Sequence, residues 1–385
     1  MLNHRERQIF IEHLITKNED IDKLSDKELK QLLTKLLAEY PRSSHLNIVE
    51  RRDLMNQLFY TMRGLDLLHP LLNDSSITEI MVNGSEHVFI EKAGKIERTP
   101  IVFDDKEHLT YVITRFFGKA NRLINEQNPI NGMRLSDGSR IHAILPPSAP
   151  DGPIMSIRRF TGIRPQIDAL VEAKTITKEA ADFLIKMVKA KKNIFISGGT
   201  GTGKTTFLNA LSAFIDKKER IVTIEDAMEL NLQGIENLVR LESREAGPDG
   251  QGAITLGELI RSSLRLRPDR ILVGEIRGEE AFEMIQAMST GHPGSMSTGH
   301  GNNSLEMLDR ICLMILMSSA LPWEAIRRLV ASTIDIIVHL IRLPNGQRNV
   351  EEIVNVVGYD SGKYLLKPLY KREGETLKCY SQKIS

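Results

Sequence analysis

The stretch from Asn193 to Ile215 constrains this chain more than any other. Gly198 through Thr205 reads Gly-Gly-Thr-Gly-Thr-Gly-Lys-Thr and fits the phosphate-binding pattern G-x-x-x-x-G-K-[ST]. An apolar run, Ile194-Phe195-Ile196, leads into it and an amphipathic helical segment leads out. Gly198, Gly199, Gly201 and Gly203, with Thr200 and Thr202 between them, let the backbone curl with its N–H groups pointing inward, where Cβ atoms would obstruct it. Phosphates would then lie on the positive end of the helix that starts near Gly203. Lys204 reaches the β- and γ-phosphates, the Thr205 hydroxyl ligates Mg²⁺, and Thr206 continues the turn.

The 385 residues are enough for two or three domains. Hydrophobic content of 41% and charged content of 26% are those of an ordinary soluble protein. With 51 basic against 50 acidic residues, no overall field marks a nucleic-acid binder. The two cysteines, Cys312 and Cys379, lack metal-like spacing and argue for a reducing compartment. The start, Met-Leu-Asn-His-Arg-Glu-Arg, has no apolar signal-peptide core. The longest uncharged apolar run, Ile311 to Trp323, is too short for a bilayer. A cytosolic protein is expected, held at a membrane only through partners.

Three parts follow from the periodicity. Residues 1–65 read as helices: Ser25-Asp26-Lys27-Glu28 is a capping box before a Leu29, Leu32, Leu33, Leu36, Leu37 stripe, Tyr40-Pro41 stops that helix, and a second one ends at Gly64. Residues 66–160 read as a small α+β domain: strands at Ile77–Val82, Val88–Glu91 and on to Phe103, a helix with Leu109, Val112, Ile113, Phe116 and Phe117 inward, a hairpin on Asp137-Gly138, and a strand to Phe160. Residues 161–172 read as a linker. From 173 to 385 strands and helices alternate, which implies a parallel sheet wrapped by helices, before a tail of short strands, Val350–Val357 and Tyr364–Leu369.

In open α/β sheets ligands bind beyond the carboxyl ends of strands, and the remaining chemistry lies at such ends. Ile221–Glu225 closes on Glu225 and Asp226, with Glu229 three residues on. Arg270–Glu275 closes on Glu275, and Ser295–His300 on His300, with His292 just before it. A γ-phosphate needs a metal ligand beyond Thr205, a group to orient water and a sensor of its loss. Glu275, then Glu225 or Glu229, then His300 fill those places. Charge on a transferring phosphoryl group is commonly met by arginine; Arg134, Arg140, Arg158, Arg159, Arg240 and Arg244 are candidates. Adjacent Arg158 and Arg159 would lie on opposite faces of one strand.

These segments resemble, in order, the Walker A, Asp box, Walker B and His box of the type II/IV secretion ATPases: Gly198–Thr206, Thr223–Asp226, Leu272–Arg277, and Thr290–Ser295 with His300. Within that superfamily, Ile77–Asn83, Arg134–Arg140, Asp151–Phe160, Val239–Arg244 and Leu266–Arg270 look most like the Flp (Tad) pilus assembly ATPases of the CpaF type. The resemblance implies a RecA-like motor domain, ATP as substrate with Mg²⁺, a homohexameric ring, an N-terminal domain clamping the nucleotide with its arginines (Arg140 and Arg158), and docking on an inner-membrane platform protein. Pro293, where relatives often carry Asp, departs from the pattern. So does the glycine pair flanking His300, which would loosen the sensor loop. The rival reading is a RecA-like nucleic-acid translocase or conjugative DNA-transfer ATPase. Balanced charge and only 5% aromatic residues for stacking bases speak against it. No nucleic-acid partner is expected. A nucleotide-gated scaffold without turnover is the third possibility, and the set of acids and arginines speaks against that.

Overall fold

Alternating apolar residues between 77 and 158 build an antiparallel sheet, whereas continuous apolar runs after 193 build a parallel one; burial of one face or of both imposes the difference. The computed structural model describes residues 10–11, 24–39, 46–92, 94–120, 122–135, 137–159, 166–244, 246 and 251–380. The chain divides into two units, Met1–Gly162 and Ile163–Ser385.

In the first unit, α1 (Asp26–Glu39), α2 (Ile48–Arg63) and the short α3 (His69–Asn73) precede the sheet. The expected box at the start of α1 is formed: Ser25 N donates to Glu28 Oε2 at 2.8 Å and Glu28 N returns a bond to Ser25 Oγ. The stop at Tyr40-Pro41 lies outside the described residues. Leu29, Leu33 and Leu37 bury against Leu54, Leu58 and Phe59. The sheet comprises β1 (Ile77–Asn83), β2 (His87–Lys92), β3 (Lys95–Arg98), β4 (Ile130–Arg134), β5 (Arg140–Ile144) and β6 (Ile154–Arg158), in the order β3-β2-β1-β6-β5-β4. Helix α4 (Lys106–Lys119) contributes Leu109, Val112, Ile113 and Phe117 to its core. The strand expected to reach Phe103 stops at Arg98, because Pro100 has no N–H to extend the ladder. The first helices are not a detached bundle. Asp66, at a φ of 48°, accepts from Thr61 Oγ1 of α2 and pairs at 2.8 Å with His108 Nε2 of α4, all three side chains buried.

The second unit begins earlier than composition suggested. Ile167–Glu172, within the expected linker, is a helix, α5, whose Ile167 is buried in the main core. After α6 (Lys178–Lys189) come β7 (Ile194–Gly198), α7 (Lys204–Ser212), β8 (Ile221–Glu225), β9 (Leu238–Glu242), α8 (Leu256–Ser263), β10 (Arg270–Ile276), α9 (Glu280–Ser289) and β11 (Met296–Gly299). Then follow α10 (Ser304–Ser318), α11 (Trp323–Thr333) and β12 (Ile336–Arg342). Six strands pair in parallel in the order β12-β7-β11-β10-β8-β9, the RecA-like arrangement. Helices α5–α7 pack into the core of one face and α8–α11 into that of the other.

The tail differs from expectation. Its strands are long, β13 (Arg348–Asp360) and β14 (Lys363–Glu373), and with β15 (Thr376–Cys379) they extend the same sheet antiparallel beyond β12. Gly358 interrupts nothing because it sits at a register shift inside β13. The real turn is Ser361-Gly362, both with positive φ, as a two-residue hairpin requires.

One buried charge pins the amino-terminal edge of the sheet. Arg270 donates to both carboxylate oxygens of Glu219, at 2.7 and 2.9 Å, and to Val188 O. Gly294 lies against it at a φ of 82°, and a Cβ there would come 2.5 Å from Arg270 Nη1 and 3.0 Å from Lys191 Cα. Gly294→Ala is expected to destabilise the protein by at least ~1–3 kcal/mol from backbone strain alone, read as a lower urea midpoint.

Candidate active site

Register brings the strand tips to one level. Gly299 pairs with Ser197 across β11–β7 and with Ile276 across β10–β11, while Val273 pairs with Ile224 across β10–β8. The phosphate loop, His300, Glu275 and Glu225 therefore leave the same carboxyl edge. The loop has the geometry its glycines predicted. Gly201 and Gly203 are left-handed, at φ 72° and 92°, and Gly203 caps α7. A Cβ on Gly198 would come 2.5 Å from Leu340 O. Thr202 Oγ1 donates to Gly199 O. Thr205 and Thr206 follow on the first turn of α7 and are half-buried, whereas Thr200 is exposed.

Lys204 is buried, and its Nζ donates to Gly198 O at 3.1 Å and Gly199 O at 2.9 Å. His300 Nδ1 lies 3.4 Å from the same ammonium, and His300 Nε2 lies 2.7 Å from Glu275 Oε1. Arg277 donates to the other carboxylate oxygen, Oε2, at 2.8 Å. Burial lowers the His300 pKa, and the cations Lys204, Arg277 and Arg310 add to this against the opposing pull of Glu275. A neutral imidazole facing an ammonium with Nδ1 carries its proton on Nε2, toward Glu275. The glycines beside His300 do not loosen it. Added Cβ atoms at Gly299 and Gly301 would come 2.9 Å from Met307 Cε and Ser197 Oγ respectively, so both are glycine to permit close packing.

Glu225 is buried at 3% exposure. Its Oε1 accepts from Glu229 N at 2.8 Å and Leu230 N at 2.9 Å, which shapes the loop after β8, while Oε2 is buried with no bonded partner. Desolvation pushes its pKa up to about 6, against those two backbone bonds. Glu229 and Asp226 lie in the electrostatic neighbourhood of Arg277, and Asp226 accepts from Ser243 Oγ. The carboxylates of Glu275 and Glu225 give this edge the hard oxygen donors that suit Mg²⁺, Glu225 Oε2 with no bonded partner; Thr205 and Glu275 would hold the ion.

Two expected groupings change. His292 precedes β11 and contacts Ala287 O, and the loop it opens bonds through Gly294 N to Asn193 at the start of β7. It sits at the amino-terminal edge, separated from His300 by a four-residue strand of roughly 13 Å; proximity in sequence had grouped two ends of one strand. Arg240 donates to Leu230 O, and Arg244 bridges to Ile254. In the first unit, Arg134, Arg140 and Arg158 form one row, Arg134 opposite Arg140 and Arg140 opposite Arg158. Arg159 points away from that row and donates to Ile77 O and Asp74 O.

Sequence reading missed three arginines in the second unit. Arg310 lines a cavity of about 500 Å³ with Gly199, Thr200, His300, Gly301 and Leu313. Arg342 and Arg348 flank the phosphate loop from β12 and β13. The middle of a helix and a distant hairpin carry no motif that announces them.

The family model for the type II/IV secretion system protein matches residues 62–377. The chain belongs to that family. It is 34% identical over 303 residues to the type IV secretion system protein VirB11 of Brucella suis, covering 72% of this chain and 84% of that one. It is 33% identical over 316 residues to the type IV secretion system protein PtlH of Bordetella pertussis, covering 76% and 93%. The crystal structure of the Legionella pneumophila ATPase DotB matches with a TM-score of 0.54 at 19% identity, over 75% of this chain and 79% of that one, a likeness of fold.

Glu225 gives a pH test with a definite sign. Its folded pKa stands above the reference 4.5, so the stability it contributes is complete below pH 4.5 and is lost as pH rises through about 6. Glu225→Gln, which keeps the accepting oxygen, removes that dependence. Relative to the parent it should gain ~2 kcal/mol between pH 4 and pH 8, measured by urea unfolding at both.

Proposed function

We propose that this member of the secretion family is a Mg²⁺-dependent ATPase, a homohexameric motor that powers Tad/Flp-type pilus assembly or protein secretion. It would work at the inner face of the cytoplasmic membrane by pushing on a platform protein; no helix among the described residues is long and apolar enough to cross a membrane itself. The observation that carries the reading is the continuous chain Lys204–His300–Glu275 at the carboxyl edge.

Each residue has a task in that reading. The loop N–H groups and Lys204 grip the phosphates. Thr205 and Glu275 would hold Mg²⁺, which when bound would neutralise charge on the phosphate oxygens. Glu275 would also orient the attacking water, helped by the unbonded Oε2 of Glu225. His300 links the two sides, so that loss of the terminal phosphate changes what both Lys204 and Glu275 face. The resemblance to the family makes Arg140 and Arg158, opposite one another on β5 and β6, the candidates for the arginine that meets the developing charge.

Lys204→Ala is expected to abolish hydrolysis and most nucleotide binding. Glu275→Gln should retain ATP binding while kcat falls on the order of 10²-fold or more, in a phosphate-release assay run beside equilibrium binding. Parental turnover in Glu275→Gln would remove that carboxylate from the mechanism. Arg140→Ala or Arg158→Ala should lower kcat with ADP binding retained.

A further inference from the structure

The hairpin joining β12 and β13 overhangs the phosphate loop on the flank that the four motifs do not occupy. Strand β12 runs parallel beside β7 with Leu340 opposite Gly198, then continues two residues further to Arg342. The chain turns over Leu343–Gln347, where Leu343 N donates to Gln347 O and Gly346 takes a φ of 86°. It returns at Arg348, directly opposite Arg342. A Cβ on Gly201 would lie 3.4 Å from Arg342 Nη1, and one on Gly203 would lie 3.4 Å from Arg348 Cδ. Two arginines thus stand against the two left-handed glycines of the cradle.

Two physical points identify what they meet. Arginine presents a planar fork that matches phosphate oxygens. Finally, the sheet order fixes which phosphates: His300, Glu275 and Glu225 leave β11, β10 and β8, all on one side of β7, whereas β12 lies on the other. With the terminal phosphate drawn toward His300 and Glu275, the nucleoside end of the molecule leaves across the β12 flank.

We propose that Arg342 and Arg348 bind the diphosphate portion of the nucleotide, at the α- and β-phosphates, and set affinity for ATP and ADP alike. This rests on the nucleotide-hydrolysing reading of the same site. The bonds at the α- and β-phosphates do not change during γ-phosphoryl transfer, so contacts to them are equal in ground and transition states. Such contacts appear in KM and Kd and not in kcat.

The test uses the full-length protein and Mg-ADP binding by calorimetry, with steady-state ATP hydrolysis alongside. Arg342→Ala and Arg348→Ala should each weaken ADP on the order of 10-fold, the lower range for a charge-assisted bond, and raise the KM for ATP by the same factor with kcat unchanged. Lysine at either position should restore part of the affinity, and thermal melting without nucleotide should match the parent. A merely structural role would move the melting curve and not the ADP affinity. ADP affinity within two-fold of the parent in both alanine variants would overturn the proposal. So would a fall in kcat at unchanged ADP affinity, which would put these groups on the γ-phosphate instead. Should the parent itself bind no ADP, the nucleotide reading of the loop fails. Should the parent bind and Lys204→Ala lose binding while the arginine variants do not, only this assignment fails.

Discussion

Gly198 is pressed so closely against the neighbouring strand that a methyl group there would lie 2.5 Å from Leu340 O. That approach is what holds the phosphate loop between β12 and β11, and the rest of the site depends on it. A side chain at this position would push β7 away from β12 and shift the start of α7, whose first N–H groups form the cradle. The constraint also explains why the loop has two distinct flanks. One carries a histidine and carboxylates, the groups needed where a bond breaks. The other carries Arg342 and Arg348 against the glycines of the loop, with the buried His339 bonded to Ser197 below them.

Burial sets the electrostatics of the reactive flank. Glu225 sits at 3% exposure with one oxygen satisfied by two loop N–H groups and the other by none. A carboxylate arranged this way costs stability at neutral pH, and the loop it organises, Glu229 and Leu230, is ordered by the same atoms. His300 is kept neutral by desolvation and by the cations around it, so it can accept from one side and donate toward the other. A group fixed in this way needs little reorganisation when charge develops nearby, the condition under which electrostatic stabilisation is most effective.

Much of this was legible from residues. Apolar runs ending in a polar residue gave β7, β8 and β10 with their tips, because in a doubly covered parallel sheet the first residue free of packing is the one that can meet a ligand. Leucine spacing gave α1, and Met55, Leu58, Phe59 and Met62 at the same spacing gave α2. What was not legible depends on contacts between distant segments. Helix α5 looked like linker because six residues with Ile167 as the one buried side chain make no period. Arg342 and Arg348 lie more than a hundred residues from the loop they flank, and only the placement of β12 beside β7 brings them there. His292 and His300 share one box in sequence, yet extended chain separates them across the sheet. The glycines flanking His300 suggested slack, whereas Met307 and Ser197 show that they serve close packing.

Strand β11 is held at both of its ends. At its base, Gly294 packs on the buried Arg270–Glu219 pair, and Ser295 Oγ accepts from Ile271 N. At its tip, Gly299 is wedged between Phe195 and Met307. A strand of four residues, paired on both sides and set at its base beside an ion pair, fixes where His300 leaves the sheet. Beyond it, Gly301 and Asn302 lead to Asn303, which caps α10 by accepting from Glu306 N. Helix α10 carries Leu305, Leu313, Leu316 and Met317 exposed on its outer side, and Leu313 reaches the cavity beside the loop. A short connection therefore joins the strand tip that presents His300 to a helix with an exposed apolar face.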